Sequence, residues 1–170
     1  MKSFPIGAKL MHFSPEATLG VSIKQKQLFD YATDHVVVED AEHHVDLMNL
    51  PFADASIDFL MCSHVLEHAP NDRQAIREPY KKGIRGILMA PLIPGLACTD
   101  EETTQALPKE RWRRIGQDDH VRLYAHDDYM QRNSESGFNL RQLDQSYFGV
   151  QTFKRLGLKD SSILYIVSKA

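Results

Sequence analysis

Ile57–Ser63 reads "IDFLMCS", an almost unbroken apolar run of strand length. A run of this kind suits a strand covered on both faces better than a half-buried one, which would alternate. Four further segments read as strands: Ala8–Phe13, His35–Glu39 with its "VVV", Arg85–Pro91 as "RGILMAP", and Ser161–Ser168 as "SSILYIVS". Between them fall helical patterns. Val21–Tyr31 places apolar residues at Val21, Ile23, Leu28 and Phe29. Asp72–Tyr80 follows Asn71 or Asp72 as a cap, and Asp127–Ser136 is a polar helix ended by Gly137. Leu140–Leu143 is a weaker strand signal. Strands alternating with helices predict an α/β fold with a mainly parallel sheet.

The 170 residues are expected to form a single domain, 1–170, with a proper core. Leu92–Tyr124, carrying "PKERWRR", interrupts the alternation and is expected to be an insertion that forms a lid over 92–124. A net charge of −3 without a basic run argues against a nucleic-acid partner. No stretch reaches the length of a membrane span. The opening "MKSFPIGAKL", broken by Pro5 and Gly7, does not read as a signal peptide. Cys62 and Cys98 are the only cysteines, and Cys62 sits in an apolar run as a buried thiol. These features fit a reduced, cytoplasmic compartment.

In an open parallel sheet, ligands bind beyond the carboxyl ends of the strands, at the switch point. The residues to inspect are His12–Glu16, Glu39-Asp40, Asp46, Ser63–His68 and Pro91–Pro94. A carboxylate at Glu39 or Asp40 could accept both hydrogens of a ribose diol, or form a solvated junction.

The stretch "VDLMNLPFADASIDFLMCSHVLEH" narrows this reading. It resembles the middle of the class I S-adenosylmethionine-dependent methyltransferases, in particular the type 11 methyltransferase domain. The matching pieces are Asp46, Leu50-Pro51-Phe52, Asp54, Ser56, Asp58 and His64–His68. The similarity continues into "GQDDHVRLY" at Gly116–Tyr124 and into "SGFN". The resemblance implies a Rossmann-like, seven-stranded sheet with its last strand antiparallel, and S-adenosyl-L-methionine as cofactor. It implies Asp46 facing the adenine amino group, Leu47 against the ring, Glu39 or Asp40 near the ribose, and Ser63 and His64 near the methyl group. The implied function is methyl transfer to a small-molecule acceptor. The alternative is a non-catalytic binding or scaffold protein that kept the sheet and lost normal cofactor binding.

The first motif departs from that family. Its pattern is a strand, an acidic residue, then G-x-G-x-G. Here His12 stands at the acidic position and Ser14, Glu16 and Thr18 at the three glycines. Glycine there permits positive φ and close backbone approach. Pro15 removes an N–H donor. Glu16 could pair with the cofactor's amino group but would repel its carboxylate, or it could turn into solvent.

Methyl transfer from a sulfonium mainly requires positioning and exclusion of water, with a base only where the acceptor must lose a proton. His64 and His120 are the candidates for that base, with a structural role open for His64 and a loop-anchoring one for Asp118 or Asp119 open for His120. Arg122 is expected to be solvated, and Trp112 to be a lid or packing residue. The chain has little before its first strand, so its acceptor pocket would suit a large acceptor or completion by a second subunit as a homodimer. "HVLEH" also matches H-x-x-E-H, the inverted zinc-peptidase string. That chemistry needs a helix around the motif, and Pro70 disfavours one. His35, His43 and His44 read as surface residues, and no metal is expected.

Overall fold

A computed structural model describes residues 6–34, 45–102 and 107–169. β1 (Ala8–Phe13) is followed by α1 (Ala17–Lys26) and β2 (Phe29–Asp34). Then come β3 (Phe59–Ser63), α2 (Asp72–Lys81) and β4 (Arg85–Met89). The 92–124 segment holds β5 (Asp100–Glu101), α3 (Pro108–Ile115) and β6 (Arg122–Leu123). The chain closes through α4 (His126–Glu135), β7 (Asn139–Leu143), α5 (Gln145–Phe148), α6 (Val150–Leu156) and β8 (Leu164–Ser168).

Among the described residues the main sheet has six strands in the order β2-β1-β3-β4-β8-β7. β1, β2, β3 and β4 pair in parallel, and β8 runs antiparallel to both β4 and β7. The reversed strand is therefore the last one, as expected. The expected strand at His35–Glu39 lies outside the described residues. The helix read at Val21–Tyr31 is corrected: it begins at Ala17, directly after Pro15-Glu16, and ends at Lys26. Gln27 leaves it in the left-handed region (φ 49°), with its N–H donating to the Lys24 carbonyl. Phe29 and Tyr31, counted as helical on their spacing, instead belong to the alternating pattern of β2.

β3 and β4 bury one face fully and the other in part, while β1 is buried on both. Met11, Phe13, Leu60, Cys62 and Leu88 belong to one core cluster with Leu66, Ile76, Tyr124, Tyr129 and Tyr165. The Cys62 thiol is buried, as its run implied, and Cys98 is exposed. Gly86 is required in β4: a Cβ there would lie 2.3 Å from the Leu60 carbonyl oxygen on the neighbouring strand. Asn71 caps α2, its side chain accepting from the Gln74 N–H at 3.1 Å. No helix among the described residues is long and apolar enough to cross a membrane.

Candidate active site

The parallel strands end level with one another. Phe13 pairs with Asp34 on one side and Cys62 on the other, and Ser63 pairs with Met89. The chain order reverses between β1 and β3, so the crevice of this sheet opens between the turns that leave those strands. Those turns begin at Ser14 and His64.

Both residues adopt left-handed backbone, Ser14 at φ 49° and His64 at φ 55°. Such a conformation disfavours side chains with a Cβ by roughly 1–2 kcal/mol. Ser14 therefore keeps the backbone shape that glycine would supply without having its freedom. Ser14→Gly is expected to raise stability by up to about 1 kcal/mol, the relief of strain offset partly by glycine's greater unfolded-state entropy. Urea unfolding measures it, and a destabilised variant would show that the Ser14 side chain holds the loop.

His12 is fully buried. Its Nδ1 lies 2.9 Å from the Tyr31 hydroxyl, and Nε2 lies 3.2 Å from Glu16 Oε2, close but not aligned for a hydrogen bond. The tautomer that suits both neighbours carries hydrogen on Nε2, so Nδ1 accepts from Tyr31. Gly20 makes room for this contact, since a Cβ there would stand 3.2 Å from the Tyr31 oxygen. Burial holds the His12 pKa below the usual histidine value, against the opposing pull of Glu16. Glu16, expected to face a ligand or solvent, is half-exposed and turned toward His12. A carboxylate thus stands beside the strand end after all, supplied from four residues further on.

A histidine whose folded pKa is lowered binds more protons unfolded than folded. Its contribution is fully present above the unfolded value near 6.5 and is lost as pH falls below it. His12→Gln is expected to flatten the loss of stability between pH 6.5 and the acid limb, read from melting temperature against pH. An unchanged acid limb would assign that limb to other groups.

Asp46 is exposed, and its Oδ1 accepts from the Met48 N–H at 2.8 Å, closing a local turn. Leu47 is buried in the core cluster. Glu39 and Asp40 lie outside the described residues.

The "HVLEH" motif forms a turn, not a helix: the His68 N–H donates to Val65 O and the Ala69 N–H to Leu66 O. The zinc-peptidase arrangement is therefore absent. The His64 N–H donates to Met89 O at 3.1 Å, and its exposed ring brings Nδ1 to 3.3 Å from Glu67 Oε1. Glu67 is fully buried and neither of its oxygens has a hydrogen-bond partner. Burial raises its carboxyl pKa above the usual range. His120 lies with Nε2 at 4.0 Å from Glu67 Oε1, its ring edge-to-face with His68 at 4.6 Å between centroids. Asp119 sits at 3.3 Å from His68 Nδ1, so the anchored ring is His68 and not His120. Burial, then the neighbouring His68, lowers the His120 pKa.

Arg122, expected in solvent, is buried at 2% exposure. Its guanidinium donates to the carbonyls of Leu66, Ala69 and Pro70 at 2.7, 2.6 and 3.2 Å. The Val121 N–H donates to Glu67 O at 2.9 Å. The "DDHVRLY" segment is thus clamped to the turn that carries Glu67 and His68. The far end of the 92–124 segment is core; its α3 presents Trp112 to solvent at 61% exposure.

Residues 7–86 match the family described as "Methyltransferase domain". The solved structures that resemble the chain include an S-adenosylmethionine-dependent methyltransferase from Mesorhizobium loti. It is 13% identical, with a TM-score of 0.60, over 98% of this chain and 92% of that one. A second, from Archaeoglobus fulgidus, is 11% identical with a TM-score of 0.58, over 98% and 88%. A third is the Haemonchus contortus phosphoethanolamine N-methyltransferase 2 in complex with S-adenosyl-L-methionine. It is 9% identical with a TM-score of 0.61, over 98% of this chain and 50% of that one. Residues 7–86 thus resemble a methyltransferase domain, and the chain shares the fold of these enzymes. No curated protein sequence matches it.

In this methyltransferase fold Ser14, Ser63 and His64 lie at the carboxyl ends of the central strands β1 and β3, with His12 and Glu16 paired beneath the first turn. His64, Glu67, His68 and His120 are brought together beyond β3. Sequence reasoning gave His68 and Glu67 only a zinc-peptidase role, as ligand and base, and set it aside. The available signal was the two matched motifs: "HVLEH" supplies His64, Glu67 and His68, and "DDHVRLY" supplies His120. The Tyr31–His12 contact carried no sequence signal, because Tyr31 was assigned to a helix.

Proposed function

We propose that this chain transfers a methyl group from S-adenosyl-L-methionine to a small-molecule acceptor. The observation that carries the reading is the left-handed backbone at both turns flanking the switch-point crevice, retained at Ser14 and His64 without glycine. Strained backbone of this kind persists where the surrounding structure imposes it, and it clusters at ligand sites. It also weighs against a chain that has lost its cofactor loop.

On this reading the adenine lies by Asp46 and Leu47, and the ribose by Glu39 or Asp40. The ammonium of the methionine end lies by Glu16, with His12 behind it. Ser63 and His64 flank the methyl group. The acceptor's proton passes to His64 or His120. The 92–124 segment closes the site through α3, while its β6 end stays fixed by Arg122.

Calorimetry with S-adenosylmethionine and S-adenosylhomocysteine tests the reading, and failure of both to bind would overturn it. Asp46→Ser retains a short oxygen acceptor for the Met48 N–H but withdraws the carboxylate from the adenine. It is expected to weaken S-adenosylhomocysteine binding by about 1 kcal/mol. Unchanged affinity would move the adenine elsewhere.

A further inference from the structure

We propose that Glu67, His68 and His120 form a binding site for a divalent first-row transition metal, with His64 as a further ligand. Their ligand atoms all lie within 4.8 Å of one another. Two ligands of a tetrahedral ion bonded at about 2.0–2.1 Å stand about 3.3 Å apart, so side-chain rotation alone would close the set. The Glu67 carboxylate carries the argument. It is fully buried, neither oxygen has a well-aligned hydrogen bond, and His64 Nδ1 and His120 Nε2 stand 3.3 and 4.0 Å from its Oε1. A buried carboxylate without partners is costly unless it is paired or bound to metal.

The surroundings fit such a site. Asp119 lies at His68 Nδ1, leaving Nε2 for the ion in the carboxylate–histidine–metal arrangement that fixes a ligating ring. The two halves of the set are locked together by the Val121 N–H on Glu67 O and by the Arg122 clamp on Leu66 O and Ala69 O. Entry is open on one side, where His64 is 65% exposed and His68 36%. One carboxylate and two or three imidazoles suit zinc, manganese, iron, cobalt or nickel rather than calcium or magnesium. The sequence had suggested no metal here, since "HVLEH" was tested only as a helical peptidase motif.

With Glu67, His68 and His120 bound, the fourth tetrahedral position is left for His64 or, when His64 swings away, for an acceptor oxygen. This part rests on the methyl-transfer reading: the ion would hold an acceptor hydroxyl beyond β3 and ease the loss of its proton to water, in place of a free His64 or His120 acting as base. The metal site itself does not depend on it.

Protein stripped with a chelator and dialysed against zinc or manganese chloride should take up one ion per chain, measured by elemental analysis, with a rise in melting temperature. Glu67→Gln and His120→Asn should each weaken uptake at least 10-fold and abolish that rise. Without metal, Glu67→Gln should melt no lower than the stripped wild type, because the substitution removes a buried charge. That separates lost binding from lost folding. No stoichiometric uptake, or uptake unaffected by both substitutions, would overturn the proposal. Binding of S-adenosylhomocysteine by stripped protein is read separately, so the cofactor reading and the metal site can fail independently.

Discussion

Arg132→Met is expected to destabilise the protein by about 3–5 kcal/mol, the range for removing one partner of a buried ion pair. Arg132 is 7% exposed. It donates to both oxygens of Asp72 at 3.0 and 2.8 Å, to Asp128 at 2.8 Å, and it also pairs with Glu101. Asp72 in turn accepts from the Tyr124 hydroxyl at 2.7 Å, and Arg122 Nε stands 3.8 Å away. Truncating Arg132 leaves three acids underpaired, and the buried Asp72 sits in a low-dielectric setting, where an unmatched charge is most costly. The Asp72→Asn/Arg132→Met double variant removes a charge of each sign, so it should lose less than Arg132→Met alone. Urea denaturation of both proteins decides it. A double variant that loses as much as the sum of its parts would mean that packing, not charge, dominates.

The same network explains what the sequence could and could not disclose. The strands were legible because Ile57–Ser63, Arg85–Pro91 and Ser161–Ser168 carry mostly apolar runs, one face fully buried and the other partly covered. Asp72, Arg122 and Arg132 were not legible as interior residues. Charge predicts exposure unless a partner is known, and the partners of Asp72 are 50 to 60 positions away. The "DDHVRLY" motif was visible in the chain, but its use was not. Arg122 spends its donors on the carbonyls of the "HVLEH" turn, a tertiary contact with no local signature. Phe29–Asp34 was misread for a related reason. Its apolar residues continue the spacing of α1, and only the left-handed Gln27 separates the two elements. At the first turn the departure from glycine was read correctly as a change of residue. That the backbone at Ser14 would nonetheless stay left-handed needed the structure.

The Ser14 and Glu16 positions can now be separated, and Glu16 is expected to carry the larger functional effect. Glu16→Gln should weaken S-adenosylmethionine binding by about 1.5–3 kcal/mol, the range for a hydrogen bond to a charged group. The reason is geometric. Glu16 Oε2 lies 3.2 Å from His12 Nε2, and burial keeps His12 neutral more readily than an exposed histidine. The carboxylate thus stands beside the end of β1, next to the buried His12 ring, with its side chain half-exposed. A ligand ammonium arriving there gains a charge-assisted hydrogen bond that glutamine cannot match. Ser14→Gly supplies the control: it relaxes the backbone and leaves Glu16 in place, so cofactor affinity should change little while stability rises. Restoring glycine at both positions should combine a gain in stability with a loss of affinity. The opposite result, tighter binding when Glu16 is removed, would mean that its charge opposes the cofactor carboxylate. The first loop would then be an obstruction, and the chain a sheet put to non-catalytic use.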